Sequence, residues 1–235
     1  MSPVLHGPVL DALGRRITAG ELPVGASLTL DGIGAEFGVS RTVAREAMRL
    51  LEGAGLVRSG PRVGIVVLPH DAWNVLDPRV IEWRLAGPGR ASQLRSLTEL
   101  RQAVEPLAAA CTARAATAAV RDELVGIARR MRELGEAGKG GGEEFLALDI
   151  EMHELLLRSS GNELFSALAD VVAVVISGRT HLGLMPAYPE PEALDAHEAV
   201  AAAVARGDGP GAEEAMARIV REVRGALGES RALKP

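Results

Sequence analysis

Polar and apolar positions change their period along this chain, and the changes mark out its elements. Residues 8–19 place Val9, Leu10, Leu13 and Ile17 on one helical face, which Gly20 ends. A turn built on Gly20, Pro23 and Gly25 leads to a second helix from about Thr29 to Glu36, with Leu30, Ile33 and Phe37 inward. Gly38 supplies a tight turn, and Ser40 is placed to cap a third helix whose Ala44, Ala47, Met48 and Leu51 recur at three- and four-residue steps. Beyond Gly53 and Gly55 the period shortens to that of a strand. Residues 56–59, a turn at Ser59-Gly60-Pro61 and residues 63–67 predict a two-stranded hairpin.

Residues 69–92 are punctuated by Pro69, Pro78 and Pro88 and enclose a short helix, whose Trp73, Ile81, Trp83 and Leu85 require something to pack against. From Gln93 onward the period is helical throughout, with helices expected at about 93–116, 119–136, 143–159, 162–184, 191–206 and 211–227. Glycine and proline clusters separate them: 138–142, 160–162, 186–191 and 207–211. The expected fold is mainly α: an N-terminal winged helix-turn-helix (1–70) with a small β-hairpin, a linker with a short helix (71–92), and an all-α bundle of six or seven helices (93–228).

Composition agrees with this. Aromatic residues make up only 3% of a chain that is 47% apolar, which favours close-packed helices over a sheet-rich fold. The lone Cys111 excludes an intramolecular disulfide framework and reads as a small core residue. There is no signal-peptide pattern, and no apolar run approaches the ~20 residues that span a bilayer, so a cytoplasmic protein without a membrane partner is expected. Charge adds more. The formal net charge is −5, yet five Arg face two Glu between Gly38 and Gly64. Arg41, Arg45 and Arg49 form a stripe on the third helix, away from its apolar face. A basic stripe followed by a short basic hairpin is the winged-helix plan for gripping double-stranded DNA.

The motifs GxLxxGxxL, FGVSRTxxREAMRxLEGxGLV and RxGxxV, spread over residues 4–68, resemble the GntR family of bacterial transcription regulators. The resemblance implies that Ser40, Arg41, Thr42 and Arg45 sit at the DNA groove. Arg58, Arg62 and Gly64 of the wing would follow the backbone or minor groove, with Arg49 continuing the basic stripe. At Asp31 this chain departs from many relatives, which carry a basic residue there. The segment WNVLDPRVIEWRL is similar to part of the galactonate- and gluconate-type sugar-acid regulators.

In the second half the informative signal is polar residues on apolar stripes. Asp149 and His153 lie along Phe145, Leu148, Met152 and Leu156, and His197 falls in the stripe of Leu194, Val200, Ala201 and Val204. Arg101, with Glu105 one turn on, borders Leu97, Val104 and Ala108, and Arg179 lies beside Val172, Val175 and Ile176. Burying such groups separately costs about 2 kcal/mol or more each, so a shared polar cavity is expected. Asp149, His153 and His197 have the donor chemistry of a divalent transition-metal site for Zn, Ni or Mn. They are equally compatible with a His-Asp hydrogen-bonded pair and a satisfied core histidine. Arg101 has an alternative of its own, an internal salt bridge to Glu105.

The sequence DxxxH, GN, HEAVAAAVARGD and AEEAM over residues 93–226 resembles the effector-binding FCD-type domain of the FadR branch, a helical bundle that often holds metal through one Asp and three His. Asp149, His153 and His197 match the first three ligand positions, and Ile219 stands at the fourth. Arg101 and Arg179 match positions facing the cavity. The resemblance implies a homodimeric repressor on a pseudo-palindromic operator, controlled by a small organic acid such as a sugar acid bound by Arg101, Asp149, His153, Arg179 and His197. The alternative from a different class is a helical metal-dependent hydrolase that uses Asp149, His153 and His197 to activate water.

Overall fold

The computed structural model describes residues 6–60 and 64–232, with side chains to residue 222. The chain divides into two compact units between Gln93 and Leu94.

In the first unit, helix α1 (His6–Thr18) buries Val9, Leu10, Leu13 and Ile17. Helix α2 (Leu30–Phe37) starts at Thr29, whose hydroxyl accepts from the Gly32 N–H, and stops at Gly38, which takes a left-handed φ of 65°. Helix α3 (Arg41–Gly53) is capped by Ser40, whose hydroxyl accepts from the Val43 N–H, and buries Ala44, Ala47, Met48 and Leu51 as the periodicity predicts.

Strands β2 (Val57–Gly60) and β3 (Gly64–Val67) pair antiparallel, with Ser59 opposite Ile65. The expected two-stranded hairpin is one strand short. Strand β1 (Ser27–Leu28) pairs with the other edge of β3, giving the order β1-β3-β2. Two residues carry no readable alternation; what holds them is the ladder that β3 offers, extended by Gly25 N–H to Val67 O (2.9 Å) and Val67 N–H to Ala26 O (3.0 Å).

The segment after the sheet runs through a single 3-10 turn (His70–Ala72) into helix α4 (Pro78–Ala86), capped by Asp77 with Pro78 at its first position. Its aromatic residue finds a partner in α1. Trp83 is 1% exposed, lies in one apolar cluster with Leu13 and Ile17, and donates its indole N–H to Asp11 at 3.1 Å. Gly14 makes this possible: a Cβ there would lie 2.5 Å from the indole ring.

Helix α5 (Arg90–Ala115) carries the chain into the second unit, which continues with α6 (Ala118–Glu136), α7 (Glu143–Arg158), α8 (Glu163–Ala167), α9 (Ala169–His181), α10 (Pro191–Arg206) and α11 (Gly209–Ala232). The continuous helix expected at 162–184 is broken at Leu168, the last cap of α8 and the first of α9. Nothing in the residue types marks that joint, since no Gly or Pro lies there. Asn162 caps α8, its side-chain oxygen accepting from the Leu164 N–H at 2.9 Å.

Helix α7 has apolar neighbours on two sides. Phe145, Met152 and Leu156 pack with Leu124, Met131, Val200 and Met216 of α6, α10 and α11. Leu146 and Leu157 pack with Ala108, Val172 and Ile176 of α5 and α9. Two buried faces leave little of this helix to water, so its polar residues Asp149 and His153 are carried into the bundle interior.

Candidate functional site

In the first unit, the exposed face of α3 presents Arg41, Thr42, Arg45 and Arg49, with Ser40 at its start. The apolar face is pinned to the core, so these residues project outward on a fixed axis. Arg41, Arg45 and Arg49, with Asp31, Glu52 and Gly64, line a groove of about 590 Å³, and Arg58 of the sheet is also exposed. Arg62 lies outside the described residues. Glu52 ties the wing to the helix by accepting from the Ser59 N–H at 2.8 Å. The arginines differ in their partners. Arg41 is paired with Asp31 and Arg49 with Glu46, whereas Arg45 and Arg58 make no ion pair among the described residues.

In the second unit, the polar residues singled out from four separate helices come together. Asp149 and His153 of α7, His197 of α10, Arg179 of α9, and Arg101 with Glu105 of α5 are all buried, at 8% exposure or less. The Nε2 atoms of His153 and His197 lie 3.3 and 3.4 Å from the same oxygen, Asp149 Oδ1. His197 Nδ1 is 2.7 Å from the Ala193 carbonyl. A carbonyl only accepts, so Nδ1 is the protonated nitrogen and Nε2 of the neutral ring is a lone pair. That lone pair faces a carboxylate oxygen, and neither His197 Nε2 nor Asp149 Oδ1 has a hydrogen-bond partner among the described residues. Two buried acceptors facing each other need a cation between them, a proton or a metal ion.

The donors of Asp149, His153 and His197 all lie within 4.8 Å of one another, so the three residues fit a divalent ion such as Zn, Ni or Mn. The outer partners are also of the right type: Ala193 O for His197, and Glu105 Oε2 at 2.6 Å from His153 Nδ1. Ile219, at the fourth position, packs in the apolar cluster and offers no donor.

Electrostatics explain why the cluster is tolerated. Burial alone opposes ionisation of Asp149, but the His153 imidazole beside it holds its carboxyl well below the usual range. Burial likewise opposes a charged His153, yet the Glu105 carboxylate and the Asp149 contact outweigh it and raise its pKa to about 9. Glu105, against its own burial, is pulled down to about 2 by Arg101 and His153. The salt-bridge alternative for Arg101 is present: its Nε donates to Glu105 at 2.5 Å. That does not exhaust the guanidinium, because Arg101 Nη1 has no partner among the described residues.

Arg179 is different again. It has no carboxylate partner in hydrogen-bond range among the described residues, and its Nε is unpaired. Burial, and next the nearby Arg101 charge, lower its pKa to about 10. Two buried guanidiniums thus lie close enough for their charges to repel each other.

Sequence reasoning missed Glu222. It lies on α11 near the same charges, its carboxyl pushed up by burial and pulled down less strongly by His197 and Arg179. The available signal was its position one turn beyond Ile219.

A basic helix beside a wing, joined in one chain to a helical domain with a buried polar centre, defines a winged-helix transcription regulator. The chain belongs to the GntR family: the model of the bacterial regulatory proteins, gntR family, matches residues 6–67, and that of the FCD domain matches residues 96–222. It is similar to the galactonate operon transcriptional repressor of Escherichia coli (29% identical, covering 88% of this chain and 90% of that protein). It is also similar to an HTH-type transcriptional regulator in an unstable DNA locus of Streptomyces ambofaciens (30% identical, 92% and 81% covered). Among solved structures the fold is shared with E. coli McbR/YncC (18% identity, 98% of this chain and 100% of that chain, TM-score 0.56). Among the described residues no helix is long and apolar enough to cross a membrane.

Proposed function

We propose that the protein is a ligand-responsive repressor. A homodimer reads a pseudo-palindromic operator through Ser40, Arg41, Thr42, Arg45, Arg49, Arg58, Arg62 and Gly64, and a small carboxylate in the second unit controls its affinity. The observation that carries this reading is the pair of buried guanidiniums, Arg101 and Arg179, each with an unpaired N–H, beside the Asp149–His153–His197 cluster. An organic acid supplies the missing acceptors, and a divalent ion held by the three ligands would act as a Lewis acid that adds a charge-assisted contact to the same acid. Similarity to a galactonate operon repressor directs attention to sugar acids.

Residues of α5, α7, α9 and α10 make up this polar cluster, so an acid that draws Arg101 and Arg179 together shifts the packing of several helices at once. Such a shift weakens operator binding only if the acid prefers the conformation that does not bind DNA. The two-fold symmetry of a dimer matches two recognition helices to two half-sites.

The test is gel shift on the DNA upstream of the protein's own gene, repeated with a panel of sugar acids and dicarboxylates, alongside thermal melting. One acid should raise the melting temperature and release the DNA, and Arg179→Met should abolish both effects while DNA binding persists. If no acid shifts melting while the purified protein sustains His153-dependent hydrolysis, the metallohydrolase alternative replaces this one.

A further inference from the structure

The first stripe arginine is already occupied. Arg41 Nη1 donates to both oxygens of Asp31, at 2.9 and 3.2 Å, linking the start of α3 to the start of α2. The side chains are 62% and 78% exposed, so the pair contributes little to stability. Its consequences lie on the outer surface, in the groove these two residues line.

We propose that Asp31 is a specificity-determining residue that positions Arg41 for a guanine and weakens its use as a phosphate clamp, an inference resting on the assignment of Arg41 to the DNA groove above. Asp31 takes a single nitrogen of the guanidinium. Arg41 Nη2 and Nε make no hydrogen bond among the described residues, and this free edge has the two donors that match guanine O6 and N7. A planar group clipped at one corner loses rotational freedom before DNA arrives, which favours a directional contact over a diffuse one. The carboxylate acts oppositely on phosphate. It neutralises Arg41 and repels the backbone wherever the head lands, a cost that every sequence shares and only the guanine contact offsets. Arg45, without an ion pair among the described residues, carries the unmodified phosphate attraction.

The experiment compares the full chain with Asp31→Asn, Asp31→Ala and Arg41→Ala on two duplexes: one that the wild type selects from a randomised library, and a scrambled duplex of equal length and composition. Affinity is measured over a range of KCl concentrations. Asp31→Asn should tighten binding to the scrambled duplex by about threefold to tenfold and steepen its salt slope by about one. The selected duplex should gain less, so the ratio between the two falls, and reselection with Asp31→Asn should relax the preference at one guanine of each half-site. An equal gain on both duplexes, or none on either, overturns the inference, provided Arg41→Ala weakens binding to the selected duplex. If Arg41→Ala leaves both affinities unaltered, the assignment of Arg41 to the groove fails first, and this inference with it.

Discussion

Asp149 Oδ1 and His197 Nε2 face each other at 3.4 Å, both buried and neither hydrogen-bonded among the described residues, because the other nitrogen of His197 is committed to the Ala193 carbonyl. With His153 Nε2 at 3.3 Å from the same oxygen, the arrangement is incomplete without a cation, and that sets the first expectation.

Protein stripped with a chelator should take up about one zinc, nickel or manganese ion per chain, read by elemental analysis, and His197→Ala or Asp149→Ala should lose it. Uptake has a pH signature. A ligating imidazole must be neutral, whereas His153 without an ion titrates at about 9, so loading at pH 7.5 should release close to one proton and weaken as the pH falls. In the stripped protein the raised pKa stabilises the fold fully below the unfolded value near 6.5. That contribution disappears as the pH rises through about 9. Urea unfolding between pH 6.5 and 9.5 should show the decline, and His153→Gln should flatten it. A stoichiometry near zero with all three metals would leave the His-Asp pair as a purely structural contact.

Arg101 and Glu105 form an ion pair at 2% exposure each. Removing one member strands the other. Glu105→Ala should lower stability by about 3–5 kcal/mol, while the apolar double replacement Arg101→Met with Glu105→Leu should recover most of the loss. Denaturant midpoints check this, and a loss below about 1 kcal/mol for Glu105→Ala would show that the pair behaves as a solvated one despite its burial.

Gly14 and Trp83 are in direct contact across α1 and α4. Gly14→Ala, harmless for a solvent-facing helix, should cost about 1–3 kcal/mol here, because the indole has no room to withdraw. In a Trp83→Leu background the same change should cost much less. That coupling identifies the contact as the cause.

The DNA-reading head was nearly all legible in the chain. Ser40, the stripe of Ala44, Ala47, Met48 and Leu51, and Gly38 with its left-handed φ are local signals, because caps, periods and turns act over a few residues. Strand β1 was not legible. Two residues hold no period, and their pairing depends on an edge that β3 supplies from nearly forty positions away. The break at Leu168 was hidden for a related reason, since packing ends that helix and no residue type does.

For the polar centre, sequence determined most of the membership, though not Glu222: it showed which helices carry misplaced polar residues, and the family resemblance showed that Ile219 stands where an imidazole was expected. Tertiary structure alone decided the pairing. It gave Glu105 to both Arg101 and His153, oriented His197 through a backbone carbonyl, left Arg179 without a carboxylate partner among the described residues, and set Asp31 against Arg41. A helical period states which face a residue is on, but a contact also needs the distance and direction of a neighbour brought in by another helix, and only the packed bundle supplies those.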